Sequence, residues 1–160
     1  MTTRIAVLTV SDGCAHGTRE DRSGNAIVEW AGQSGHEVAG RATVPDETGG
    51  IASQLMTWAD GGGVALILTT GGTGFAPRDV TPEATRAVID REAPGIAEAL
   101  RAAGLRQTPR AILSRGVAGI RGGTLIVNLP GSTSGVRDGL TVLAPLVDHL
   151  AAILRGETEH

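Results

Sequence analysis

Short apolar runs alternate with amphipathic stretches along this chain. Arg4 to Val10 (R-I-A-V-L-T-V) is continuous, rich in β-branched residues and bounded by Ser11-Asp12-Gly13, which predicts a strand buried on both faces. Cys14 to Ser23 is polar and reads as a loop. Ile27, Trp30 and Ala31 then recur at helical spacing, with Gly35 as a stop. Glu37 to Val44 reads as a second strand and Pro45-Asp46-Glu47 as a turn. Ile51, Leu55 and Trp58 form the apolar stripe of a second helix, ended by Gly61-Gly62-Gly63. Val64 to Thr70 (V-A-L-I-L-T-T) is the clearest buried strand, followed by a Gly/Pro loop from Gly71 to Asp79.

Thr81-Pro82-Glu83 predicts a helix start, with Thr81 as cap, Pro82 in the first turn and Glu83 facing the positive end of the dipole. A further helix is expected over Gly95 to Ala103, ended by Gly104. Ala111 to Ser114 and Val117 to Ile120 are weaker strand candidates, and Thr124 to Leu129 is a strong one. Val136 to Ile153 carries apolar residues at helical spacing, and Pro145 within it should kink or divide the helix. Trp30 and Trp58 lie in apolar stripes and are expected in the core.

This alternation predicts an α/β domain, residues 1–160 as one unit, with a mostly parallel sheet and helices on both faces. Ligands of such sheets sit beyond the C-terminal strand ends. That rule selects four loops: Ser11 to Ser23, Pro45 to Thr48, Gly71 to Thr81 and Pro130 to Gly135.

Composition narrows the chemistry. The formal net charge is −3, so the basic excess of a general nucleic-acid binder is missing. All 14 cationic side chains are arginine. A P-loop lysine, a Schiff-base lysine and a lysine general base are therefore excluded. With no Tyr, one Phe and two Trp, a base-stacking platform is excluded too. The single Cys14 cannot support a disulfide framework or a multi-cysteine zinc site. Together with the lack of an 18-residue apolar run or a signal peptide, it points to a cytoplasmic protein with no membrane partner.

In the selected loops, Gly71-Gly72-Thr73-Gly74 either converges backbone N–H groups on an anion or merely makes a tight turn. Pro130-Gly131-Ser132-Thr133-Ser134-Gly135 precedes a helix, where N–H groups and the dipole attract phosphate; simple N-capping is compatible with that. Asp46 and Asp79 share a strand-end placement. Each is either functional or a turn aspartate holding nearby N–H groups. Arg78, beside Asp79, suits a phosphate clamp or a structural ion pair. The Arg19-Glu20-Asp21-Arg22 cluster reads as a solvated loop face. His16, His36, His149 and His160 show no ligand spacing.

Six segments resemble the molybdopterin adenylyltransferases, both the stand-alone bacterial enzymes and the related domain of gephyrin-like proteins. They are Thr9-Val10-Ser11-Asp12, Pro45-Asp46, T-T-G-G-T-G (69–74), P-R-D-V-T-P-E-A-T (77–85), A-I-L-S-R (111–115) and N-L-P-G (128–131), in that order. The resemblance spans roughly residues 3 to 155, and residues 69 to 85 are its most specific stretch. It implies a three-layer α/β fold, a homotrimer, and the reaction of molybdopterin with MgATP to give adenylylated molybdopterin and pyrophosphate. The product would pass to the enzyme that inserts molybdate. By motif, Asp46 and Asp79 match the functional aspartates, here expected to be catalytic and to hold Mg²⁺. Ser11, Asp12, Gly71, Gly72, Thr73, Gly74, Arg78, Pro130, Gly131 and Ser132 match the pterin- and nucleotide-binding loops. Gly131 to Ser134 departs from the many members that have a proline or lysine nearby. A pterin- or nucleotide-binding trimeric module without catalysis is the alternative, and the presence of both aspartates favours catalysis.

Overall fold

The computed structural model describes residues 2–157; Met1, residues 158–160 and hence His160 lie outside the described residues. Six strands form one sheet: β1 (Arg4–Val10), β2 (Glu37–Val44), β3 (Leu66–Thr70), β4 (Arg91–Glu92), β5 (Ala118–Arg121) and β6 (Thr124–Leu129). The order is β2-β1-β3-β6-β5-β4. The first three pairings are parallel and the last two antiparallel, as expected for a mostly parallel sheet. The helices are α1 (Asp12–Ala15), α2 (Arg22–Gln33), α3 (Thr48–Asp60), α4 (Thr81–Val88), α5 (Pro94–Leu105), α6 (Thr133–Leu143) and α7 (Val147–Leu154).

The strand period of two divides the core. Ile5 and Val7 of β1 face α2, α6 and α7, in one cluster with Leu68, Val127 and Leu140. Ala6, Leu8 and Val10 face α3 and α4, with Ile51, Leu55, Ile67 and Val88. Each fully buried Leu or Ile contributes about 1.5–3 kcal/mol through apolar burial. Three layers result. No helix among the described residues is long and apolar enough to cross a membrane.

The structure corrects several local expectations. The polar stretch after β1 is partly helical, because Ser11 caps α1 by accepting from Cys14 N–H (3.2 Å) and Asp21 caps α2 by accepting from Gly24 N–H (3.0 Å). Asp21 also accepts from the buried Thr9 hydroxyl at 2.7 Å, so this part of the charged cluster is structural rather than a solvated face. Ala111 to Ser114 is no strand: Pro109–Leu113 is a 3₁₀ helix with Thr108 as cap, and Ile112 is exposed. The two-residue β4 carries too short a pattern to be read from sequence. α5 runs past Gly104 to Leu105. Thr81 does not cap α4; Val80 holds that position, and the Thr81 hydroxyl donates to Gly71 O at 2.9 Å. Pro145 divides the last helix as expected, through a 3₁₀ turn over Ala144–Leu146. Both tryptophans are half-buried; Trp58 packs over Gly40, where a Cβ would press into the indole.

Candidate functional site

Because β2, β1, β3 and β6 run parallel, their C-terminal ends lie along one edge of the sheet. The order in which the chain adds strands reverses between β1 and β3, with β2 on one side and β3 and β6 on the other, and that is where such sheets open a crevice. The four selected loops therefore converge there.

The β3 loop is built on two glycines. Gly71 has φ +99° and Gly72 φ +68°, both in the left-handed region. A Cβ on Gly71 would run into the Val10 carbonyl, and one on Gly72 into the Thr81 hydroxyl. Thr81 ties this turn to α4: its hydroxyl holds Gly71 O and its N–H donates to Gly72 O at 3.1 Å. Across the edge, Thr70 Oγ1 donates to Pro130 O at 2.7 Å and Gly71 N–H to Leu129 O at 3.2 Å. A Cβ on Gly131 would lie 3.4 Å from Gly71 Cα, so the two loops abut. The N–H groups of Gly72, Thr73, Gly74, Gly131 and Ser132 donate to no other described residue. Ser132 Oγ caps α6 by accepting from Gly135 N–H at 3.1 Å.

A cleft of about 830 Å³ opens against these loops. Gly72, Thr73, Gly74, Asp79, Pro130, Gly131 and Ser132, all singled out from sequence, line it. Ser11, Asp12, Asp46, Gly71 and Arg78 do not. Asp12, Asp46 and Arg78 form a charged group beside it. Asp12 N–H donates to Asp46 Oδ2 (2.8 Å), and Asp46 N–H donates back to Asp12 Oδ1 (3.0 Å). Arg78 forks onto Asp12 through Nε (2.6 Å) and Nη2 (3.0 Å). Of the two roles open to Arg78, the structure shows the ion pair.

These contacts set the charges. The Arg78 hydrogen bond, with help from Asp46 N–H, holds the Asp12 carboxyl at about 2. Burial pushes the Asp46 carboxyl above its ordinary value, and the negative charges of Asp12 and Asp79 push it the same way. The Asp12 N–H bond opposes these effects without overcoming them. Asp46 and Asp79 also flank the glycine loop. Asp46 Oδ1 is 3.3 Å from where a Gly72 Cβ would sit, and Asp79 Oδ2 is 2.8 Å from where a Gly74 Cβ would sit. Asp79 Oδ2 also accepts from Ala76 N–H at 2.9 Å, the bond expected of a turn aspartate.

Among the described residues no group of three or more His, Cys, Asp or Glu side chains could hold a metal by itself. Mg²⁺ does not need one: it commonly takes one or two carboxylates and completes its shell with water and substrate phosphate. Two carboxylates close enough to raise the pKa of one of them fit that chemistry.

Two residues matter more than their sequence suggested. Arg115 threads the glycine loop. Its N–H donates to Thr73 O (2.8 Å), Nε to Gly74 O (2.8 Å) and Nη2 to Asp79 O (2.7 Å), while the guanidinium forks onto Glu83 of α4 at 2.8 and 3.1 Å. Buried Asn128 accepts from Val117 N–H at 3.1 Å and donates to the Thr69 and Thr85 hydroxyls, both at 3.0 Å. It straps β6 to β3 and α4 beneath the loop. Both lie in the quoted segments A-I-L-S-R and N-L-P-G, but their partners are far away in sequence.

The chain is 42% identical over 94% of its length to the "Molybdenum cofactor synthesis protein cinnamon" of Drosophila melanogaster, covering 25% of that protein. It is 38% identical over 97% of its length to the "Molybdopterin adenylyltransferase" of Helicobacter pylori strain J99, covering 89% of that protein. The crystal structure of the molybdopterin biosynthesis enzyme MoaB from Thermus thermophilus is 52% identical and superposes with a TM-score of 0.90, covering 97% of this chain and 98% of that one. The chain spans between 23% and 49% of the length of several larger curated relatives, gephyrin of Dictyostelium discoideum among them. The family described as "Probable molybdopterin binding domain" matches residues 6–149, and the chain belongs to it.

Proposed function

We propose that residues 1–160 form a single catalytic domain, a molybdopterin adenylyltransferase of molybdenum cofactor biosynthesis. The terminal phosphate of molybdopterin attacks the α-phosphorus of ATP. A new phosphoanhydride bond forms, the α–β bridging bond breaks, and pyrophosphate leaves. The nucleophile is already an anion near neutral pH, so no strong general base is required. What the chain must supply is alignment and charge neutralisation.

The observation that carries this reading is the meeting of two kinds of group. Five backbone N–H groups with no hydrogen-bond partner among the described residues line the cleft from two loops, and the carboxylates of Asp46 and Asp79 flank the same glycine turn. The N–H groups of Gly72 to Gly74 and of Gly131 and Ser132 hold phosphate oxygens. Asp46 and Asp79 would hold Mg²⁺, which would supply charge neutralisation for the phosphates. Asp12 and Arg78 act one step back: Asp12 fixes Asp46 and Arg78 fixes Asp12. Ser11, as the cap of α1, shapes that loop.

Other relatives' names support the pathway, and the adenylyltransferase of Escherichia coli K12 is 43% identical over 87% of this chain. The working protein is a cytoplasmic homotrimer whose product passes to the enzyme that inserts molybdate. The test is pyrophosphate release from MgATP with and without molybdopterin. Release that requires both substrates is expected; tight pterin binding without release would favour the non-catalytic module.

A further inference from the structure

The cleft contains one acidic side chain that no proposed step uses. Asp138 lies in the second turn of α6 and lines the cleft with Ser134 and Gly135, which sit four and three positions earlier on the same helix face. Its carboxylate makes no hydrogen bond or ion pair with any described residue. Arg101 lines the same cleft but spends its Nη1 on the carbonyls of Ser114 (3.3 Å) and Gly116 (2.8 Å). This half-buried carboxylate faces the cleft free to accept, and a ligand seated there gains by bringing hydrogen-bond donors to it.

The geometry separates the two jobs. The free N–H groups sit at the start of α6, whereas Asp138 lies six residues beyond the Ser132 cap, about 9 Å along the helix at 1.5 Å per residue. That leaves room for a fused ring between a phosphate at the helix start and the carboxylate. A carboxylate is matched by two adjacent donors. The 2-amino-4-oxo pyrimidine edge of a pterin offers such a pair, its ring N–H and its amino group. Adenine offers an amino group beside a ring acceptor instead. We propose that Asp138 reads the 2-amino-4-oxo edge and so selects the pterin substrate over the nucleotide at this end of the cleft. The inference rests on the adenylyltransferase reading and adds a specificity determinant to it.

The probe is 6-hydroxymethylpterin, followed by its own fluorescence, with lumazine, guanosine and MgATP as comparison ligands. Lumazine replaces the amino group by a second oxo group; guanosine keeps the edge on a smaller ring. The parent should bind the pterin at least tenfold more tightly than lumazine. Folded Asp138→Asn should lose about tenfold in pterin affinity and most of that preference, with MgATP affinity unchanged, and Asp138→Glu should recover part of it. Pterin affinity within twofold of the parent in Asp138→Asn, or a loss confined to MgATP, would overturn the assignment while leaving the adenylyltransferase reading intact. Tighter, Asp138-dependent binding of guanosine would overturn the pterin choice. Failure of the parent to bind any pterin would overturn both readings.

Discussion

Asp12 and Asp46 hold each other through their main chains: each N–H donates to the other's carboxylate, at 2.8 and 3.0 Å. The loops after β1 and β2 are thereby locked, and Arg78 reaches from the β3 loop to close the lock on Asp12. Two like charges share this space, and Arg78 forks onto Asp12 while only its more distant charge reaches Asp46. Asp12 is held low by Arg78, whereas Asp46 is held high by burial and by Asp12 and Asp79. The strain of the arrangement falls on Asp46.

Asp46→Asn should therefore stabilise the ligand-free protein and inactivate it. Its folded pKa is raised, so the carboxylate costs stability above that value and the cost fades as pH falls through it. The asparagine oxygen can still accept from Asp12 N–H. A higher melting temperature at pH 7, shrinking towards the parent's below pH 4, is expected alongside a loss of about 10²–10³ in turnover. An unchanged or lower melting temperature at pH 7 would show that neither burial nor the neighbouring charges burden the Asp46 carboxylate.

The glycine loop offers a pair of variants with opposite expectations. Gly72→Ala meets both a positive φ and the Thr81 hydroxyl, so it should cost about 1–3 kcal/mol in stability as well as ligand binding. Gly131 is exposed, has no positive φ, and would place its Cβ 3.4 Å from Gly71 Cα. Gly131→Ala should stay within about 0.5 kcal/mol of the parent's stability. It should still weaken nucleotide or pterin binding about tenfold, near 1.4 kcal/mol, by crowding the phosphate site. Calorimetric binding beside thermal denaturation separates the two. Full ligand affinity in Gly131→Ala would mean that the loop is only a turn.

What the sequence revealed here and what it hid have distinct physical causes. Strand ends and loop glycines announce themselves locally, so the placement of Gly71 to Gly74, Pro130 to Ser132, Asp46 and Asp79 near the strand ends is legible in the sequence. Arg115 is not legible in this way. Its partners Gly74, Asp79 and Glu83 lie 41, 36 and 32 residues away, and its own segment turned out to follow a 3₁₀ helix rather than a strand. Thr81 departs from its expected capping role for a related reason. As Ser or Thr before Pro it looks like a cap, but tertiary structure draws its hydroxyl down to Gly71 O. The Asp12 lock needed two loops 34 residues apart to meet, which neither loop's sequence records.

The Arg115–Glu83 fork predicts a pH dependence. Arg115 holds the Glu83 carboxyl below its ordinary 4.5, so the pair's contribution is complete above 4.5 and is lost as pH falls through the lower folded value. Glu83→Gln should lower the melting temperature at pH 7, and the difference should shrink by pH 3. A difference independent of pH would show that packing, not charge, holds Arg115 in place.

Asp79 decides between a turn and a catalytic residue, and its own hydrogen bond shows how to ask. Oδ2 accepts from Ala76 N–H at 2.9 Å, while Asp79 N–H donates to Ala76 O at 2.9 Å and Asp79 O accepts from Arg115. The main-chain bonds survive any substitution except proline, so the loop keeps its path. Asp79→Asn retains an acceptor for Ala76 N–H and should melt near the parent. Asp79→Ala loses that acceptor and should melt lower, by the ~1 kcal/mol typical of a lost hydrogen bond. Turnover should not follow stability. Both variants lose the negative charge that would hold Mg²⁺ against the transferring phosphoryl group, so both should fall by about 10²–10³ in rate. Combining Asp46→Asn with Asp79→Asn should be no worse than the poorer single variant if the two carboxylates act as one unit. An active Asp79→Asn beside a destabilised Asp79→Ala would reduce Asp79 to a turn residue and leave Asp46 as the sole carboxylate of the site.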